Sequence, residues 1–324
     1  MNLPGTHDSQ TWNYSTETRK SLKHITLLGG SIAAPSRFYR CQEIPLISML
    51  EQGIRVFDLR FAFDVTKTRL VFWHAQALQS QTATVSDVLF AFSKWLDYHP
   101  SEAILVSLKY EKSTTLFARY NMNIQKAIYD ALTTLVAQKY FLSAKNELGT
   151  LGDARGKIVL LRRFDLDMLP EDQVENLPGI YFPSSEWTIN GQAISIVYNR
   201  NKNYTAYIED YYHISTKSIN ERKIQPIIRS KYNVTMAHLE KAMLQYHHDD
   251  LFLTFASGER NANLPPHCPK IIALGKNDEE GINQKLTQVF QGLKGTKKRL
   301  GIVMFDFSNN PPELIESFLA IQNP

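Results

Sequence analysis

Short apolar runs alternate along the chain with longer stretches whose apolar residues recur every third or fourth position, a pattern that predicts strands and helices in turn. Strands are predicted over 53–61 (GIRVFDLRF), 69–75 (RLVFWHA), 102–111 (EAILVSLKYE), 156–164 (GKIVLLRRF), 205–213 (TAYIEDYYH), 251–257 (LFLTFAS) and 299–307 (RLGIVMFDF). Val85, Val88, Leu89, Phe92 and Leu96 lie at helical spacing, with Thr84 and Asp87 in front as a capping box and Pro100 behind. Further helices are predicted on Ile124, Ala127, Ile128, Ala131, Leu132 and Leu135, on Met236, Leu239, Ala242 and Met243, and on Ile282, Leu286, Val289, Phe290 and Leu293. A terminal helix is predicted to start at Pro311 and Pro312. The stretch from Phe164 to Ala206 carries no strand pattern that can be assigned.

In the opening segment LPGTHDS, Pro4 fixes φ and Gly5 permits a positive one, which predicts a sharp turn just before His7 and Asp8. Only three residues precede Pro4, too few for a full strand feeding that turn, so an upstream piece, with any targeting segment it carries, is expected to be missing. Counting that first strand gives about eight, and strand–helix alternation with apolar, β-branched strands argues for parallel sheet. The predicted class is α/β, a (β/α)8 TIM barrel, as a single domain over residues 1–324, because no linker, repeat or low-complexity tract divides the chain.

Composition narrows the reading only a little. A hydrophobic share of 43% suits one large core, and a formal charge of +4 without an arginine-rich run argues against nucleic acid. Cys41 and Cys268 exclude a disulfide-rich scaffold and a four-cysteine zinc site, and leave open whether the two pair. No apolar run reaches the roughly 18 residues a bilayer span needs.

The informative feature is a repeated position. Asp58 and Arg60 close one predicted strand, His74 the next, Lys109 and Glu111 the third and Arg163 the fourth; Asp210 and Tyr212 lie in another and Asp306 ends the last. A single strand-end charge is ordinarily a solvated or capping residue, but in a barrel these ends converge on one mouth, where active sites of that fold lie. Two histidines supply a general base and a general acid near neutral pH, and carboxylates fix their tautomers. Arg60, Lys109 and Arg163 suit an anionic phosphodiester. With no nucleophile elbow in the chain, the attacking oxygen is expected to come from the substrate itself.

On these residues the chain resembles the bacterial, metal-independent phosphatidylinositol-specific phospholipases C, whose fold is a distorted, incomplete (β/α)8 barrel. The blocks that carry the resemblance are LPGTHDS, IPLISMLEQGIRVFDLRF, HPSEAILVSLKYE, GKIVLLRRF, EDYYHISTKSI, LFLTFASGE and GIVMFDF, in order from residue 3 to about residue 308. The resemblance implies His7 as the base that takes the inositol 2-hydroxyl proton, oriented by Asp306, and His74, paired with Asp8, as the acid that protonates the departing glycerol oxygen. It implies Arg60, beside Asp58, as the group that stabilises the phosphate, and Lys109, Arg163, Asp210 and Tyr212 as the inositol-binding set. No cofactor and no metal are expected, since Arg60 stands where metal-dependent members of the superfamily carry a second acidic residue. The implied partners are a phosphatidylinositol or GPI lipid and a peripheral membrane surface, for a monomer that is secreted or membrane-peripheral rather than cytoplasmic. Two alternatives stand beside this reading: release of GPI-anchored proteins, and a non-catalytic inositol-lipid binding module. QYHHDD (245–250) is read as a solvated helix end, the basic run Lys294, Lys297, Lys298 and Arg299 as solvated, and His99 as part of a helix-ending turn. Trp187 is read either as packed or as dipping into a membrane interface.

Overall fold

The computed structural model describes residues 1–28, 32–111, 118–215, 223–244, 246–261 and 266–322. The end of the EDYYHISTKSI block and Gln245 therefore lie outside the described residues. Strands β1 (Leu3–Thr6), β2 (Val56–Phe63), β3 (Leu70–His74), β4 (Ala77–Leu78), β5 (Ala103–Tyr110), β6 (Lys157–Arg163) and β7 (Ile180–Tyr181) come first. They are followed by β8 (Ile194–Asn199), β9 (Tyr204–Glu209), β10 (Leu251–Phe255), β11 (Gly275–Lys276), β12 (Glu279–Glu280) and β13 (Ile302–Phe305). The chain divides into two compact units, each discontinuous in sequence: Met1–Trp12, Arg37–Val56 and Trp187–Pro324 form one, Asn13–Ser36 and Phe57–Glu186 the other.

In the first unit the strand order is β1–β13–β10–β9–β8. All of these neighbours are parallel except β8 and β9, which pair antiparallel. Pro4 and Gly5 do not form the predicted turn; both lie inside β1 and are buried. A Cβ on Gly5 would overlap Met304 Sδ and come within 2.9 Å of Val56 Cβ, so glycine is required there by close packing rather than by a turn. The bend comes later, at Asp8, whose φ is +43°. Strand β8 was not legible in the sequence, yet its burial alternates in and out along Ile194, Ser195, Ile196 and Val197, as an antiparallel strand with one wet face should. Helices Ile224–Ala242 and Ile282–Gly292 each bury an apolar stripe, on Ile227, Ile228 and Leu239 and on Ile282, Leu286 and Phe290. Phe290, Phe305 and Phe318 meet edge to face with centroids 5.0–6.3 Å apart.

In the second unit the order is β7–β6–β5–β2, with β3 paired to β2 and β4 paired to β3. Strand β5 lies parallel to β6, running from Ala103 opposite Lys157 to Lys109 opposite Arg163. The apolar run 69–75 forms a strand as predicted, but it returns antiparallel to β2, Phe61 facing Phe72 and Phe63 facing Leu70. The connection is too short for a parallel crossover, and Asp64 holds it closed by accepting from Thr66, the Thr68 and Arg69 amides, and Arg69 Nε. Helix Val85–Tyr98 has its capping box in place, Thr84 accepting from the Asp87 amide and Asp87 from the Thr84 amide. Phe57 and Phe92 pack with centroids 4.7 Å apart and Phe61 meets Phe164 at 5.5 Å, which anchors β2 to its helix and to β6. His99 caps that helix, stacked on Trp95 at 4.0 Å, as expected of a helix-ending turn.

Candidate active site

Strands β1 and β13 run parallel with Thr6 opposite Phe305, so the residues that follow them, His7 and Asp306, emerge side by side. His7 Nδ1 lies 2.8 Å from Asp306 Oδ1, and His7 is 8% exposed while Asp306 is fully enclosed. An ionised Asp306 accepts the Nδ1 proton, which leaves Nε2 as the basic nitrogen of the ring. Asp8 Oδ2 stands 3.3 Å from that Nε2. The frame around the pair is polar and tight. The Gln42 side-chain amide donates to both His7 O and Phe305 O, and Asn283 donates to Asp306 O at 2.9 Å. Phe255 meets the His7 ring edge-on at 6.0 Å.

Asp210 and Tyr212 lie just beyond β9, which ends at Glu209; they are not strand residues as predicted. Asp210 accepts from Trp187 Nε1 at 2.8 Å, and Trp187 packs edge-on against Phe255 at 6.3 Å. Trp187 is thus half-buried and holds the Asp210 carboxylate, a contact its sequence setting did not show. Beneath this corner Glu209 and Lys231 form a fully buried pair, Nζ to Oε1 2.7 Å. Burial pushes the Glu209 carboxyl above its ordinary range, opposed by Lys231 and by the Tyr211 amide.

In the second unit the buried carboxylate Asp58 organises the cations. Its Oδ1 accepts from Arg163 Nη1 at 3.2 Å and from Ser107 Oγ at 3.3 Å, and Arg60 Nε faces Oδ2 at 3.5 Å. Asp58 and Arg60 are two apart on β2 and therefore share a face, as the period of a strand requires. Glu111, noted at its strand end but given no role by the sequence reading, reaches Arg60 Nη1 at 3.8 Å. Lys109 and Arg163 are register partners on β5 and β6 and so point to one side. Arg162 points the other way, 5.2 Å from the Tyr181 ring, and burial lowers it to about 10. His74 ends β3, half-buried, with Ala75 at φ +48° turning the chain directly after it.

Among the described residues two groups bring ligand atoms within 4.8 Å of one another: the buried His7, Asp8 and Cys41, and the largely exposed His247, His248 and Asp249. Asp58, the acid beside Arg60, belongs to neither. Neither cysteine is in a disulfide. No helix among the described residues is long and apolar enough to cross a membrane.

Comparison with known proteins points to one family. A family model described as phosphatidylinositol-specific phospholipase C, X domain, matches residues 34–164. The chain is 27% identical over 166 residues to a 1-phosphatidylinositol phosphodiesterase of Listeria monocytogenes, an alignment covering 50% of this chain and 43% of that protein. It is 29% identical over 114 residues to a zebrafish (Danio rerio) PI-PLC X domain-containing protein 1, covering 33% of this chain and 37% of that one. The chain thus spans less than half of the length of the curated relatives it matches. Among solved structures, a mutant phosphatidylinositol-specific phospholipase C from Staphylococcus aureus superposes with a TM-score of 0.72 at 18% identity, covering 99% of this chain and 92% of that one. The Listeria monocytogenes phosphatidylinositol-specific phospholipase C gives 0.65 at 22% identity, covering 98% and 91%. At these identities the structures show the fold, a mixed α/β chain with a barrel-like sheet, in agreement with the predicted class.

Proposed function

We propose that this chain is a relative of the bacterial phosphatidylinositol-specific phospholipases C within the phospholipase C-like phosphodiesterase superfamily, and that it cleaves phosphatidylinositol without a metal. The observation that carries the proposal is the 2.8 Å bond between His7 Nδ1 and the enclosed Asp306 carboxylate. It commits one ring nitrogen to donation and leaves the other to take a proton, the requirement for a general base. In this reading His7 removes the proton of the inositol 2-hydroxyl and the alkoxide oxygen attacks phosphorus. The bond to the glycerol oxygen breaks, and His74, with Asp8 as its partner, returns a proton to that oxygen. The products are diacylglycerol and inositol 1,2-cyclic phosphate. Asp306 and Asp8 stabilise the imidazolium charges that form along the way.

Arg60, Arg163 and Lys109 outnumber Asp58 and Glu111, so this cluster retains positive charge for a phosphodiester. Asp58 orients two of the three cations instead of serving as a metal ligand, and a guanidinium cannot ligate a cation. Asp210 and Tyr212 supply an acceptor and a hydroxyl suited to a polyol ring.

Purified protein with phosphatidylinositol vesicles and EDTA, followed by phosphorus NMR, tests the reading. Appearance of the cyclic ester at an undiminished rate is the expected result. Loss of activity on chelation with recovery on Ca²⁺ overturns metal independence. A His7→Ala variant that still releases the cyclic ester overturns the role of the base, and vesicle binding with no turnover in the parent protein selects a non-catalytic lipid-binding module.

A further inference from the structure

We propose that the buried Glu209–Lys231 pair is a positioning device for the headgroup-binding segment 210–212; this inference rests on the reading of Asp210 and Tyr212 given above. Glu209 is the last residue of β9 and Lys231 lies within the helix Ile224–Ala242, and neither side chain has any exposed surface. Beyond holding each other at 2.7 Å, both grip the main chain of the residue between the two headgroup ligands. The Tyr211 amide donates to Glu209 Oε1 at 2.8 Å, and Lys231 Nζ donates to the Tyr211 carbonyl at 2.8 Å. Thr235, one turn along the helix, reaches Glu209 Oε2 at 3.4 Å.

The flanking residues are anchored as well. The Asp210 amide donates to Gly191 O at 2.8 Å, and the Tyr212 carbonyl accepts from the Glu259 amide at 2.8 Å. Three consecutive residues just past a strand end, where chains are ordinarily loose, are thus held at the main chain.

The physical argument turns on what a buried ion pair is good for. Taking two charges out of water offsets most of their attraction, so apolar residues of similar volume serve stability as well or better. A pair that also satisfies one N–H and one C=O of the same residue does something apolar residues cannot: it fixes where that residue's neighbours point. Tyr211, whose own ring is buried, stands directly between Asp210 and Tyr212 in the chain, so fixing its N–H and C=O restrains the backbone on which both side chains are mounted. The pair therefore acts on binding through its neighbours without touching the lipid.

The test separates positioning from plain stability. Lys231→Met alone strands a buried carboxylate and is expected to lower the melting temperature and raise KM together. Glu209→Leu with Lys231→Met removes both charges and is expected to recover most of the melting temperature. KM for phosphatidylinositol in detergent micelles is expected to stay raised by about 10- to 100-fold with kcat within about 2-fold, the signature of lost binding geometry. A double variant with the parent's KM makes the pair merely structural and overturns the proposal. Asp210→Asn and Tyr212→Phe are measured alongside: unchanged KM in both removes the headgroup reading and the inference with it. Raised KM in both beside an unaffected double variant removes the inference alone. Should the variants not fold, hydrogen exchange on the parent protein decides, with the Tyr211 amide protected as slowly exchanging strand amides are; exchange at the rate of an exposed loop overturns the proposal.

Discussion

His7 and His238 are both buried imidazoles in the same unit of the molecule, and their surroundings are opposite. His7 sits between two carboxylates, Asp306 at 2.8 Å on one nitrogen and Asp8 at 3.3 Å on the other. His238 shares a 2.8 Å hydrogen bond with the Thr254 hydroxyl, and burial, followed by the charges of Lys241 and Lys231, lowers it to about 4. Anions make a ring ready to accept a proton, while cations and an apolar wall keep it neutral. Burial alone therefore does not distinguish the proposed base from a structural histidine; the sign of the neighbouring charge does. The same contrast separates two buried carboxylates. Asp58 is held by guanidinium groups that retain some contact with solvent, whereas Glu209 is held by a lysine that has none.

The largest expected effect falls on the acceptor side of this contrast. His7→Ala is expected to lower turnover by about 10²- to 10⁴-fold, whereas His238→Gln leaves turnover near the parent value. Equal losses in the two variants would erase the distinction. Next comes Arg60→Ala, expected to reduce kcat by about 10²- to 10³-fold through lost stabilisation of the developing phosphate charge; a variant within a few-fold of the parent would remove Arg60 from the chemistry.

The third prediction concerns pH and stability. The folded value of His238, about 4, lies below its ordinary 6.5. Between those values the unfolded chain binds the proton and the folded chain does not. Stability is therefore lost as pH falls through this window, by about 3 kcal/mol once below it. Denaturant unfolding across pH 4 to 7 is expected to show this slope, and His238→Gln to flatten it; an unchanged slope in the variant would show that another group titrates. The smallest effect is expected from chelation, with EDTA changing the rate by less than about 2-fold because Arg60 and Arg163 carry the positive charge at Asp58.

How much of this was legible beforehand depends on the range of the interaction concerned. The capping box at Thr84 and Asp87 spans four residues and formed as read, as did most of the helical stripes and buried strands, although the helix on Ile124 and Ile128 ends at Thr133 and leaves Leu135 exposed in the next helix. The two-residue step on β2 put Asp58 and Arg60 on one face, and here too local periodicity was enough. Where the outcome depended on a neighbour far along the chain, the reading failed. Pro4 and Gly5 have turn chemistry, but Met304 and Val56 leave room only for glycine in a strand. The run ending at His74 has strand chemistry, but only the short closed connection at Asp64 decides that it returns antiparallel. Strand β8 alternates only weakly between apolar and polar residue types, which hid it despite the Asn190-Gly191 turn before it.

The sequence by itself determined which residue types stand near the ends of the strands, because side-chain period and apolar content are properties of a few consecutive residues. It determined, through Arg60, that a fixed cation stands beside Asp58. The resemblance anticipated that Asp306 meets His7, but only the tertiary structure decided that Trp187 holds Asp210 and that Lys231 reaches back to Glu209 and Tyr211. Each of these contacts joins residues at least 20 positions apart. No local pattern encodes such a meeting; it follows from which strands pair and which helix packs over them.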